Sequence, residues 1–179
     1  MEEKYKVEIA GIERELVICP LNERLSIAAF VMFSDVEITV AAAEALLKKA
    51  PEFDVILTAE SKGIPLAYEM ARQSGKNYVL ARKSAKLYMK EPISIDVQSI
   101  TTSRIQTLYL DKADAEYLKG KKVLIVDDVI STGESLHAME TLLNKTGAII
   151  AGKMAVLAEG DAAKRTDIVF LNTIPLFIK

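Results

Sequence analysis

One cysteine, one histidine and no apolar stretch long enough to cross a bilayer set the first limits on this 179-residue chain. With Cys19 alone no intramolecular disulfide can form, and with His137 as the sole imidazole a Cys/His zinc centre has too few ligands. Cys19 therefore reads as a packed thiol and His137, early in a helical pattern, as a surface residue. The glycines form no G-x-G-x-x-G, and Gly120-Lys121-Lys122 lacks the upstream Gly and the following Ser or Thr of a Walker loop. A net charge of −2 and a pI near 5.6 provide no general nucleic-acid surface. The opening MEEKYKVEIA carries acids where a secretory signal carries bases, so a cytoplasmic address is the expectation. With 50% hydrophobic residues a chain of this length can bury one full core, which predicts a single domain over 1–179.

What is present concentrates in Lys122 to Ser135, KVLIVDDVISTGES. Val123 to Val126 is a short apolar, β-branched run of the kind buried on both faces of a parallel sheet. Asp127 and Asp128 follow, at the carboxyl edge where open α/β sheets bind ligands, and adjacent carboxylates there suit the hydroxyls of a sugar. Ser131, Thr132, Gly133, Glu134 and Ser135 then lead into a helical pattern in Leu136, Met139, Leu142 and Leu143. A helix amino terminus with unpaired N–H groups, a glycine for close approach and extra hydroxyls suits a phosphate. A plain helix cap is the simpler alternative, yet two charged neighbours plus Ser-Thr-Gly exceed what one cap requires. A receiver domain, which also places an acidic pair after such a strand, needs that strand first, and here only 51 residues follow Asp128.

Elsewhere the pattern alternates strand and helix. Tyr5 to Ala10 and Glu15 to Cys19 flank Gly11 as a hairpin; Asp35 caps a helix running to about Ala50, closed by Lys48, Lys49 and Pro51. Val55 to Thr58 and Tyr78 to Ala81 are further buried-strand candidates, separated by a turn at Ser61 to Gly63 and a helix through Met70. Such alternation predicts an α/β fold: βαβ units with right-handed crossovers around a central parallel sheet flanked by helices. Ala59, Glu60, Ser61, Lys62 and Gly63 repeat the polar, glycine-containing ending of the first motif, which fits either an anion loop or a simple strand-to-helix turn. Arg82, Lys83, Lys86 and Lys90 follow the third strand, as a solvated face or as counter-charge for an anion.

The string VLIVDDVISTGES resembles the signature of the type I phosphoribosyltransferases, and DVILTAESKGIPLAYEMAR with ARKSAKL resembles their adenine branch. The resemblance implies that Asp127 and Asp128 hold the ribose of phosphoribosyl pyrophosphate and act in catalysis, while Ser131 to Ser135 cradle the 5′-phosphate. It assigns the pyrophosphate to Glu60, Ser61, Lys62 and Gly63, in a loop that often contains a cis non-proline peptide, and to Arg82, Lys83 and Lys86. Lys62 stands where that branch usually has Arg, replacing a planar fork by a point charge. Mg²⁺ as cofactor, a purine base as second substrate and a homodimer are implied too, with no metal ligand assigned to the protein. The same resemblance makes Glu91 to Tyr109 a flexible hairpin closing over the diphosphate, and makes Ile18 to Leu21 or Ile174 to Phe177, within peripheral segments 1–34 and 157–179, a hood over the base. Two departures stand out. Ile100 to Arg104 lack the loop Glu that assists the purine proton, and Ser131 replaces the Asp of the hypoxanthine-guanine branch. The small Ser131 disfavours the hypoxanthine-guanine branch without deciding between adenine and xanthine, and the likeness of DVILTAESKGIPLAYEMAR and ARKSAKL to the adenine branch makes adenine the expected base; a non-catalytic sensor of phosphoribosyl pyrophosphate or a nucleotide, regulating a protein partner, is the alternative. The 35 or so residues before the first long helix are neither basic nor helical in pattern, which disfavours DNA control.

Overall fold

The computed structural model describes residues 3–98 and 105–178. In chain order the elements are β1 (Lys4–Ile9), β2 (Ile12–Pro20), β3 (Leu25–Ala29), α1 (Val36–Leu47), β4 (Val55–Ala59), α2 (Ile64–Ser74), β5 (Asn77–Ala81), β6 (Ile93–Gln98), β7 (Ile105–Leu110), α3 (Lys112–Leu118), β8 (Lys122–Ile130), α4 (Glu134–Thr146), β9 (Ile149–Glu159), a 3₁₀ turn (Gly160–Lys164), β10 (Val169–Ile174) and β11 (Leu176–Ile178). Five strands form the predicted parallel sheet, in the order β10-β9-β8-β4-β5.

The apolar runs explain why this sheet is buried on both faces. Ile56, Leu124, Val126, Met154 and Val156 join the core beneath α1 and α2, while Val55, Leu57, Val123 and Ile125 join the core shared with α4 and the β6–β7 hairpin. Successive side chains of a strand point to opposite faces, so the stretches of β4 and β8 that satisfy two cores are apolar at every position, and polar residues enter towards the carboxyl ends, at Thr58, Asp127 and Asp128. The hairpin expectation at Gly11 holds: Ala10 (φ 52°) and Gly11 (φ 82°) are both left-handed, as a two-residue turn between twisted antiparallel strands demands.

A second sheet, antiparallel and ordered β1-β2-β3-β11, unites the two ends of the chain. The two segments considered separately as hood material thus lie in one sheet, with Ile18 to Pro20 in β2 and Leu176 to Ile178 in β11. Within Glu91 to Tyr109 the hairpin strands β6 and β7 pair antiparallel; positions 100–104, where the departure from the family pattern falls, lie outside the described residues.

Asp35 caps α1 as its position predicts. Its Oδ1 accepts from the Ile38 N–H at 3.1 Å, and its carboxylate also receives Arg14 Nε at 2.7 Å, which binds the cap to β2. The Arg14 hydrogen bond, chiefly, holds the Asp35 carboxyl below its ordinary range. Asp35→Ala is expected to remove about 1 to 2 kcal/mol of stability, measured by denaturant unfolding, because it deletes a cap and leaves Arg14 with Glu37 as its remaining acidic partner.

Candidate active site

The strand order creates the site. From β4 the chain winds through α2 to β5 at one edge, and from β8 through α4 to β9 and β10 at the other, so the windings part between β4 and β8. A crevice forms at such a switch point, outside the carboxyl ends of the strands. Pairing of β8 with β4 ends at Leu57↔Ile125, whereas pairing with β9 runs on to Ile130↔Ala158. Asp127 and Asp128 stand in this split, inside β8 rather than beyond its end as the apolar run suggests.

The pair is asymmetric. Asp128 is buried at 2% exposure, its Oδ2 accepts no hydrogen bond, and Lys62 Nζ lies 3.1 Å from that oxygen as an ion pair. Asp127 is half-buried, and its Oδ1 accepts the backbone N–H of Asp128 at 2.9 Å. Removal from water first, and the neighbouring Asp128 charge second, push the Asp127 carboxyl up to about 8. The sign of the pH effect follows: a raised folded-state value contributes stability that is complete below the unfolded value near 3.8 and is lost as the pH rises through about 8. Thermal scans of ligand-free wild type and Asp127→Asn should therefore nearly coincide at about pH 4 and separate in favour of the Asn variant by about pH 9.

Two helices begin at this crevice. Gly63 precedes α2 and Gly133, at φ 83°, precedes α4, and neither helix has a side-chain hydrogen-bonded cap. Of the first backbone N–H groups, Glu134 donates to Thr132 Oγ1 at 3.4 Å and Ile64 to the Ser61 carbonyl at 3.2 Å, and Pro65 has none, so it is the remaining N–H groups of the two turns that are left for anions. Residues 131–135 with Asp127 line a cavity of about 110 Å³ at the head of α4, consistent with the predicted phosphate loop. Gly133 is required by its left-handed backbone; a Cβ there would lie 2.8 Å from Arg165 Nη1, the end of a flexible side chain that can move aside. Gly63 has ordinary helical angles, so space alone demands it: a Cβ would meet Thr58 Oγ1 at 2.4 Å and Asp127 Oδ1 at 3.0 Å.

The β4–α2 turn contains a cis peptide between Glu60 and Ser61, as the resemblance implies. Glu60 faces Arg82: its Oε1 is 2.5 Å from Arg82 Nε, and its Oε2 accepts the Lys83 N–H at 2.7 Å. The carboxylate thus joins this turn to the segment after β5, and the anion-binding capacity of the turn rests with its backbone and Lys62. Lys86 turns its Nζ onto Ser84 Oγ at 2.7 Å. Asp127, Asp128, Lys62, Gly63 and 131–135 are brought together, with Glu60 and Arg82 packed behind the turn and Lys83 and Lys86 farther out on the segment that follows. His137 is exposed and Cys19 half-buried. Sequence reasoning missed Thr58, Glu159 and residues 27–31, which have no local motif; the apolar run before Glu159 was the sole signal that it ends a strand.

Comparison with known proteins agrees with this geometry. A family model described as a phosphoribosyl transferase domain matches residues 35–177. The chain is 36% identical over 126 residues to an adenine phosphoribosyltransferase of Rhodococcus jostii, covering 70% of this chain and 69% of that protein. It is 37% identical over 110 residues to the purine biosynthesis transcriptional repressor PurR of Bacillus subtilis, a match covering 62% of this chain but only 38% of the repressor. In fold it superposes on the crystal structure of adenine phosphoribosyltransferase from Thermoanaerobacter pseudethanolicus with a TM-score of 0.67 at 23% identity, covering 79% of this chain and 84% of that one. With the family model spanning the parallel sheet and both of its uncapped helix starts, the chain belongs to the type I phosphoribosyltransferases.

Proposed function

We propose that the protein transfers the phosphoribosyl group of phosphoribosyl pyrophosphate to a purine base, adenine first, releasing pyrophosphate and a nucleoside monophosphate. The observation that carries this reading is the buried acidic pair lying between two uncapped helix starts, which suits a ribose with a phosphate group on either side. The start of α4 takes the 5′-phosphate; the β4–α2 turn takes the pyrophosphate, helped by Lys62.

Asp127 and Asp128 hold the ribose hydroxyls. The Asp128 charge, withdrawn from water, opposes the positive charge that develops on the sugar as the bond to pyrophosphate lengthens, while Asp127, held largely protonated beside it, serves the ribose as a hydrogen-bonding partner; such preorganised charge is a large contributor to rate. No cluster of three metal-ligating side chains occurs among the described residues. Asp128 Oδ2, which accepts no hydrogen bond and has the Lys62 ammonium at 3.1 Å, and the Asp127 carboxyl beside it nevertheless fit magnesium that arrives on the substrate, and Asp127 and Asp128 would hold it there. Magnesium supplies charge neutralisation of the departing pyrophosphate. A homodimer belongs to the same proposal, supported by Leu87 and Tyr88, which stand exposed beside the basic segment.

The test is pyrophosphate release from phosphoribosyl pyrophosphate, with adenine, hypoxanthine, guanine, xanthine and uracil supplied singly against a base-free control. Release that depends on a purine supports the transferase. Silence with every base, combined with ligand binding, supports the second reading, a sensor, which the likeness to the Bacillus repressor favours.

A further inference from the structure

A second cavity, of about 220 Å³, opens next to the acidic pair, with Lys62 and Ser131 in its wall. Residues 27–31, from β3 and the chain just after it, form another wall, and Val129 and Ile174 provide further apolar surface. Glu159, the last residue of β9, also lines it, and is only 7% exposed. Among the described residues its carboxylate makes no hydrogen bond and no ion pair, and its oxygens keep access to solvent, so the acid of an otherwise buried residue is left open to a donor that enters the cavity. Register fixes its place: Glu159 pairs with Ile174 across β9 and β10, beyond the point where β8 has turned into the phosphate loop.

We infer that Glu159 is the residue that reads the base, accepting a hydrogen bond from an exocyclic amino group, and that the site therefore selects a purine with an amino group at the position facing Glu159 over one with a carbonyl there. The inference rests on the transferase reading for the direction in which the base enters, from the ribose held at Asp127 and Asp128 towards β9. A cavity with largely apolar walls and one carboxylate acceptor on its lining discriminates by chemistry rather than by size. Adenine and hypoxanthine have nearly the same shape and differ at C6, where one presents N–H groups and the other a carbonyl oxygen. An amino group satisfies the Glu159 carboxylate; a carbonyl sets lone pairs against lone pairs and leaves the buried acid unpaired. Guanine carries its amino group at C2, xanthine has none, and the same acceptor separates them if the base lies the other way round in the slot.

The experiment compares equilibrium binding of AMP, IMP, GMP and XMP by calorimetry in wild type and Glu159→Gln, which keeps the side-chain shape but can also donate. Turnover with the four corresponding bases is measured in parallel. In wild type, AMP over IMP or GMP over XMP is expected to show a preference of roughly 10²-fold, and Glu159→Gln to reduce it to within about tenfold, because the amide can rotate to give an N–H to a carbonyl. A preference for AMP assigns the C6 amino group and one for GMP the C2 amino group. Equal binding of amino and oxo nucleotides by wild type, or a preference unchanged by Glu159→Gln, would overturn the inference. Binding does not depend on catalysis, so a protein that releases no pyrophosphate with any base contradicts the transferase reading while the role of Glu159 is still decided.

Discussion

Asp128→Asn is expected to reduce purine-dependent pyrophosphate release by roughly 10² to 10³-fold while the melting temperature stays level or rises. The two effects have opposite signs for one reason. In the ligand-free protein Asp128 is a buried charge next to Asp127 whose Oδ2 accepts no hydrogen bond, and among the described residues its ion-pair partner is the half-exposed Lys62. Two neighbouring acids with little water around them cannot both ionise cheaply, which costs folding free energy, and an amide of the same shape at Asp128 removes that cost. With substrate bound, that repelling charge becomes the group that offsets the cationic sugar, and the amide cannot replace it. Steady-state rates and thermal scans on the same preparation check both halves; a variant that loses activity and stability together would show a structural role for Asp128 instead.

Gly63→Ala is expected to lower stability by about 1 to 3 kcal/mol and to weaken binding of phosphoribosyl pyrophosphate as well. The new methyl group would lie 2.4 Å from Thr58 Oγ1 and 3.0 Å from Asp127 Oδ1, so either the turn or the acidic residue must move. Thr58 is fully buried and its hydroxyl has no hydrogen-bond partner, which makes it the neighbour to trim. In the double variant Thr58→Ala/Gly63→Ala the closest clash disappears while the approach to Asp127 persists. Denaturant unfolding should recover in the double variant, and affinity for phosphoribosyl pyrophosphate should recover less. Equal recovery of both would place the whole effect in packing.

These contacts also mark where the sequence stops being informative. Asp127, Asp128 and 131–135 were legible because one strand and one helix start place them all within a few residues of each other. The Asp35 cap was legible for the same local reason. Gly63 read as a turn residue, but its need for space comes from Thr58 and from Asp127, 64 positions further along the chain. Glu60 looked like a pyrophosphate residue because its neighbours do; its attachment to Arg82 depends on β4 and β5 being adjacent, which is a property of the sheet. The antiparallel sheet joins β3 to β11, and no periodicity in either segment announces a partner so distant. Glu159 lacks any motif, and only the meeting of β9, β10 and residues 27–31 turns it into the acidic lining of a slot.

The claim on which the rest depends is that the split between β4 and β8 is where phosphoribosyl pyrophosphate sits. Calorimetric titration of the magnesium complex of phosphoribosyl pyrophosphate into wild type and Gly63→Ala, without any base, tests it directly and applies to enzyme and sensor alike. One site per chain is expected in wild type and at least about tenfold weaker binding in the variant, since the methyl group crowds the pyrophosphate turn and Asp127 together. No binding by wild type, or equal affinity in a Gly63→Ala protein shown to be folded, would contradict it.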